Sequence, residues 1–196
     1  MNYFLTRVVG AFVRQYPEVA IRLEVTNRES LLDQLTNNEP DLVLMGQPPA
    51  DMSLVFEPFM ENPLVVIAVP SHPPARKRRV ALSARFLLRE EGSGTRTAMQ
   101  RAFTKNQIDI TEGLIMNSNE AIKQGVEAAL GLGFVSRHTL EQEPSLRRLV
   151  ELKVETFPVT RRWFVVHRTD RVLSVVAQAF RDFVLTESRR LASSRT

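Results

Sequence analysis

An α/β fold of two lobes is what this sequence predicts, and three observations predict it. Apolar residues recur with the period of a helix in some segments and of a strand in others, and the two kinds alternate along the chain. A proline-rich break, Pro70-Ser71-His72-Pro73-Pro74, separates two such groups. The 196 residues, 43% of them hydrophobic, are enough to bury a core in each group.

Phe4, Leu5, Val8, Val9, Phe12 and Val13 fall at helical spacing, and Pro17 closes that helix. Val19, Ile21, Leu23 and Val25 alternate with Ala20, Arg22 and Glu24, which predicts a strand with one buried face over residues 19–25. Asn27 is placed to cap a helix whose apolar face is Leu31, Leu32 and Leu35, and Asn37-Asn38 ends it. Residues 41–45 read as a short buried strand, and the alternation of helix and strand predicts parallel pairing. Gly46-Gln47-Pro48-Pro49 breaks that strand. Residues 54–60 and 64–69 are two further extended runs split by Asn62-Pro63, the second apolar enough to be buried on both faces.

The crossover between lobes is placed at the proline-rich break. Beyond it Phe86-Leu87-Leu88 restarts as a strand, and Gly92 to Thr95 leads into a helix carrying Ala98, Met99, Ala102 and Phe103. Residues 108–116 are expected to be extended, 119–130 helical, and 131–136 a turn plus a short strand. Late strands are expected at 146–150 and 159–167, with Trp163, Val165 and His167 on one face and Phe164 and Val166 on the other. Ser174 is placed to cap a final helix bearing Val175, Val176, Ala179, Phe180, Phe183 and Val184.

A net charge of +4 raises the question of nucleic acid. Much of the excess sits in Arg76-Lys77-Arg78-Arg79 and in a tail from Arg189-Arg190 to Arg195. No aromatic residues interleave there, as a single-strand binder would need, so these runs read as a solvated loop and a chain end. No segment approaches the roughly 20 apolar residues that span a bilayer. Met1-Asn2-Tyr3-Phe4 resembles no signal peptide. A cytoplasmic protein with no membrane partner is therefore expected. Cysteine is absent, which excludes disulfides and thiol chemistry.

Two segments carry the chemical signal. Glu91-Gly92-Ser93-Gly94-Thr95-Arg96 offers flexible backbone, two hydroxyls and a guanidinium just before a helix, and Asn117-Ser118-Asn119 stands before the next one. Free backbone N–H groups and the positive end of the helix dipole favour an anionic group at such mouths. Each segment alone also reads as a plain turn or cap, and the first lacks the Lys-Ser/Thr ending of a nucleotide-binding loop. Arg28, after Asn27, stands at a similar helix opening and could face ligand or solvent.

His72, His138 and His167 have no metal-binding spacing, so no metal is expected. Ser93, Ser118 and Ser136 lack a nucleophile elbow, and no carboxylate pair is marked as acid and base. No catalytic residue and no cofactor are assigned. The two β/α groups predict paired lobes with a ligand between them at the strand ends.

Several segments together resemble the effector-binding domain of LysR-type transcriptional regulators. They are Pro17 with residues 19–25, then Leu35 and Asp41 to Gly46, then Pro63-Leu64-Val65-Val66 and Ser71-His72-Pro73. More specific are Ser118-Asn119-Glu120-Ala121-Ile122-Lys123-Gln124, Gly131-Leu132-Gly133 and Ser136-Arg137-His138-Thr139-Leu140. With residues 86–96 and 161–168 they are similar to the branch that controls the Calvin-cycle (RuBisCO) operon.

That resemblance covers nearly the whole chain. It implies two α/β subdomains of periplasmic-binding-protein type II, with residues 1–70 plus 165–196 in the first and 71–164 in the second. The ligand would be a small anionic metabolite, phosphorylated or carboxylated. Ligand-binding residues implied by position are Arg28 and Gln47 in the first subdomain. In the second they are Ser93, Gly94, Thr95, Arg96, Asn119, Ser136 and Arg137. Trp163 is placed either in core or against ligand. A homodimer or tetramer through effector domains is implied, with operator DNA reached only through a winged helix-turn-helix domain that this chain lacks. The resemblance also places a first strand just before Asn2, missing here with one wall of the pocket, and a longer stretch around residues 76–85. A solute-binding protein and an enzyme are the other functions this fold could serve.

Overall fold

The structure, a computed structural model, describes residues 2–72, 85–109, 111–140, 148–154 and 157–193. Its elements in chain order begin with α1 (Asn2–Gln15), α2 (Arg28–Thr36), β1 (Val43–Met45), β2 (Leu54–Glu61) and β3 (Leu64–Ala68). Then come β4 (Arg85–Arg89), α3 (Gly94–Lys105), β5 (Thr111–Met116), α4 (Asn119–Glu127) and β6 (Gly133–Ser136). The last are β7 (Val150–Glu151), β8 (Arg162–Arg168) and α5 (Val175–Ser193). They form two compact units, Met1–Glu61 with Arg161–Thr196, and Asn62–Thr160.

In the first unit β8 is the middle strand of a three-stranded sheet, flanked by β1 and β2. The period-2 rule puts its successive side chains on opposite faces. Val165 accordingly packs with Phe4, Leu5 and Val8 of α1 and Val184 of α5. Phe164 and Val166 pack with Leu35 of α2 and with Val43 and Met45 of β1. Phe12 of α1 meets Phe180 and Phe183 of α5 edge-on, with ring centroids 5.1 and 5.4 Å apart. The expected caps form: Ser30 N donates to Asn27 Oδ1 at 3.0 Å, and Ala177 N to Ser174 Oγ at 3.1 Å. Asn38, just past α2, takes the left-handed conformation, φ 60°, that asparagine tolerates better than most residues.

Two expectations for this unit fail. Residues 19–25 form no strand. They run along an apolar trough of about 700 Å³, with Leu5, Val9 and Phe12 of α1 and the free side of β1 among its other walls. Leu23 and Val25 remain 47% and 59% exposed. Alternation specifies a face, but a strand also needs a ladder partner. The second failure is pairing: β1 and β2 both run antiparallel to β8. Local alternation could not reveal this, because the neighbour of β1 comes from the far end of the chain.

The second unit is built on β3, which lies between β6 and β7 and pairs antiparallel with both. β4 and β5 pair in parallel, as the alternation predicts. A parallel bridge between Phe86 and Leu132 joins the two sheets, with Leu87 N donating to Leu132 O and Leu132 N to Arg85 O, both at 2.8 Å. One face carries Leu64, Val66, Phe86, Leu88 and Phe134 against Met99 and Phe103 of α3. The other carries Val65, Ile67, Leu87 and Val135 against Ile122 and Val126 of α4. Every residue of β3 is buried, as a strand covered on both faces requires.

The chain leaves the first unit between Glu61 and Asn62 and returns between Thr160 and Arg161. The family resemblance puts these crossings at 70/71 and 164/165. The physical reason for the shift is that β3 finds its ladder partners in the second unit and β8 in the first. The basic run at 76–79, the shortened stretch entering the second lobe and the start of the strand expected at 146 lie outside the described residues.

Candidate functional site

Because β4 runs parallel to β5 and, at the bridge, to β6, the carboxyl ends of all three lie on one edge of the sheet. Arg89, Met116 and Ser136 end them. α3 and α4 start just beyond that edge, so their free N–H groups gather where ligands of open α/β sheets bind.

The turn from β4 into α3 depends on Gly92, whose φ of 74° lies in the left-handed region. It leaves Ser93 as the residue before the helix, with Ser93 N donating to Glu90 O at 3.3 Å. Ser93 and Thr95 are buried, and the Ser93 hydroxyl makes no capping bond. At α4 the cap is complete: Ala121 N donates to Ser118 Oγ at 3.0 Å.

Arg89 joins the two mouths. Its Nη1 donates to Asn119 Oδ1 at 3.0 Å and its Nη2 to Asn117 O at 3.4 Å, so the guanidinium sits on the first turn of α4. Nε and Nη2 also form a bidentate pair with Glu90, both at 2.8 Å. From α3, Arg96 Nη1 donates to the Arg89 carbonyl at 3.2 Å. Two helix N-termini, two guanidiniums and two buried hydroxyls thus share one strand edge with the Glu90 carboxylate, while Glu91 lies in the turn and Glu120 in the first turn of α4. The N–H groups of the two helix starts and the guanidiniums are the groups there suited to an anion.

The structure therefore brings together Ser93, Gly94, Thr95, Arg96 and Asn119. Ser136 stands at the same edge but is buried, and its hydroxyl donates to Asn62 Oδ1 at 2.5 Å. Thr139 Oγ1 donates to Ser136 O at 2.7 Å, and Lys123 Nζ to Thr139 O at 3.4 Å, completing a buried polar chain from α4 to the first residue of the unit. Arg137 Nε and Nη2 donate to Glu151 of β7 at 2.9 and 2.6 Å. In the first unit, Arg28 Nη2 donates to Gln47 O at 3.4 Å, so these two candidates are neighbours. Trp163 packs against the core of α1 and α5, with Arg161 5.4 Å over its ring.

Sequence reasoning missed Arg89 and Glu90. A signal existed, since both stand at the carboxyl end of a buried strand, directly before a glycine turn. What the sequence could not show was that Asn119 comes within reach of Arg89.

Residues 1–189 match the LysR substrate binding domain family. The chain is 49% identical over 195 residues to a RuBisCO operon transcriptional regulator of Allochromatium vinosum, covering 97% of this chain and 65% of that protein. It is 36% identical to the HTH-type transcriptional activator CmpR of a Synechocystis strain, covering 97% of this chain and 64% of that protein. The chain thus spans just under two thirds of the length of these relatives. Among solved structures it aligns with the Synechocystis PCC6803 CcmR regulatory domain in complex with 2-PG. The TM-score is 0.92 at 39% identity, over 96% of this chain and 92% of that one. The effector binding domain of QuiR in complex with shikimate aligns with a TM-score of 0.82 at 18% identity, over 95% and 90%, a likeness of fold alone.

Proposed function

This chain belongs to the LysR substrate-binding domain family, and from that premise we propose that it is the metabolite-sensing part of a transcriptional regulator of the RuBisCO-operon kind. Its ligand is a small anionic metabolite, phosphorylated or carboxylated. The observation that carries the reading is Arg89, which ties the strand end before α3 to Asn119 at the start of α4. That contact makes one anion-favouring cluster of what are otherwise two ordinary helix caps. Arg96 and Arg89 supply charge, while Ser93, Thr95 and Asn119 supply hydrogen bonds that orient the ligand. The 2-PG held by the Synechocystis neighbour makes that compound the first ligand to try.

The role is non-catalytic and cytoplasmic. Ligand binding transmits a signal only where the ligand prefers one conformation of the protein over another. Operator DNA is reached through a helix-turn-helix domain outside this chain, and the effector domains associate as a dimer or tetramer. Among the described residues no helix is long and apolar enough to cross a membrane.

Calorimetric titration with 2-PG, ribulose bisphosphate, ATP and NADPH tests the reading, on the unchanged chain and on the Arg96→Ala and Arg28→Ala variants. Binding of one of these anions, weakened by Arg96→Ala, is expected. The Arg28→Ala result decides whether the first unit takes part. Absence of binding to every anion, or binding indifferent to both substitutions, refutes the assignment.

A further inference from the structure

We infer that Glu90 is a built-in competitor for the anion site: its carboxylate sits on the edge of the Arg89 guanidinium that an incoming anionic group needs. The inference rests on the sensor reading and adds a selectivity rule to it.

The guanidinium has two kinds of partner. One side is fixed to α4 through Asn119 Oδ1 and Asn117 O. The other side makes a two-point bond with the Glu90 carboxylate, Nε to Oε2 and Nη2 to Oε1. This is the geometry in which arginine holds any carboxylate or phosphate. The side chains are only 14% and 23% exposed, so the pair is screened less than a surface ion pair.

Adjacent residues of a strand point to opposite faces, so a two-point bond between neighbours needs one of them to leave the strand pattern. β4 ends at Arg89, and Glu90 lies just beyond it. The Glu90 backbone is held on both sides, its N–H by Met116 O at 3.1 Å and its carbonyl by Ser93 N at 3.3 Å. Exchange with a ligand thus requires only rotation of the Glu90 side chain, with the backbone and the Arg89 anchor in place.

A selectivity rule follows. A ligand with one carboxylate replaces Glu90 with a group of the same charge and gains little. A phosphate monoester brings up to two charges and three acceptor oxygens to the same guanidinium, and gains more. Glu90 therefore sets a charge threshold that favours phosphorylated ligands over monocarboxylates.

The test is titration of inorganic phosphate, phosphoglycolate and acetate into the chain and its Glu90→Gln, Glu90→Asp and Arg89→Gln variants, each first shown to keep its circular dichroism. Glu90→Gln keeps the shape and removes the charge. It is expected to bind all three anions about threefold to tenfold more tightly and to narrow the preference for phosphate over acetate. Glu90→Asp, one methylene too short for the two-point bond, should fall between, and Arg89→Gln should bind least. If both Glu90 variants bind no better than the unchanged chain, Glu90 instead positions Arg89. The competitor role is then overturned while the sensor reading stands. If none of the proteins binds any anion, the sensor reading fails and this inference with it.

Discussion

Replacing Gly133 by alanine should loosen the helix that presents Asn119. A Cβ at this position would lie 2.8 Å from Val126 Cγ2, 2.9 Å from Ile122 Cγ2 and 2.9 Å from Ile67 Cγ1. Ordinary carbon contacts begin near 3.4 Å, so three groups would each have to retreat by roughly 0.5 Å. All three belong to fully buried residues on β3 and α4, where no neighbour can give way into solvent. Overpacking of this kind costs about 1–3 kcal/mol. For a chain of this length that lowers the melting temperature by about 2–4 °C per kcal/mol. Thermal and urea unfolding followed by circular dichroism measures the loss. Because Val126 supplies the nearest methyl, Val126→Ala should relieve part of the strain. The double variant is then expected to be more stable than the sum of the single losses by about 1 kcal/mol. A Gly133→Ala chain as stable as the original, or strict additivity with Val126→Ala, would refute the argument that β6 and α4 touch through this glycine.

The remaining predictions concern the caps, the extended segment, the guanidinium and acid pH. Ser118→Ala and Asn27→Ala each remove a side-chain acceptor from a helix N-terminus and should cost about 1 kcal/mol in urea unfolding. Ser118→Ala should also weaken anion binding. Val25→Ser should change stability by less than about 0.5 kcal/mol, because the side chain is 59% exposed; a larger loss would mean that residues 19–25 are ordered in a ladder after all. Arg89→Met should destabilise by about 1–2 kcal/mol through loss of its bonds to Glu90 and Asn119, and thermal unfolding reads this directly. The hydrogen bond from Arg168 holds the Asp170 carboxyl below the ordinary aspartate range. Its small stabilising contribution is therefore present above the unfolded value and lost as pH falls through the folded one. An NMR titration should place the Asp170 midpoint below that of an unperturbed aspartate, and Arg168→Gln should raise it towards the unperturbed position.

Much of the local structure was legible because local causes produce it. The helical spacing of Phe4, Leu5, Val8 and Phe12 becomes the buried side of α1, and Asn27, Ser118 and Ser174 cap the helices they precede. The opposite faces of β8 were readable from alternation alone. The same alternation misled at residues 19–25, where a buried face was implied and no partner strand pairs with it among the described residues. Parallel pairing held for β4 and β5, which are joined through α3, and failed for β1, whose partner returns from the end of the chain.

For the candidate site the division is similar. By itself the sequence determined that two helix mouths rich in hydroxyl, amide and guanidinium groups exist in one lobe, since caps and dipoles act within a few residues. It also determined the family resemblance that residues 1–189 bear out. Only the tertiary structure decided that the mouths belong together, that Arg89 links them, and that Arg137 pairs with Glu151. The contacts of Arg89 with Asn117 and Asn119, and of Arg137 with Glu151, join residues 14 to 30 positions apart. Such contacts depend on which strands lie side by side, and strand neighbours are chosen by the packing of the whole unit.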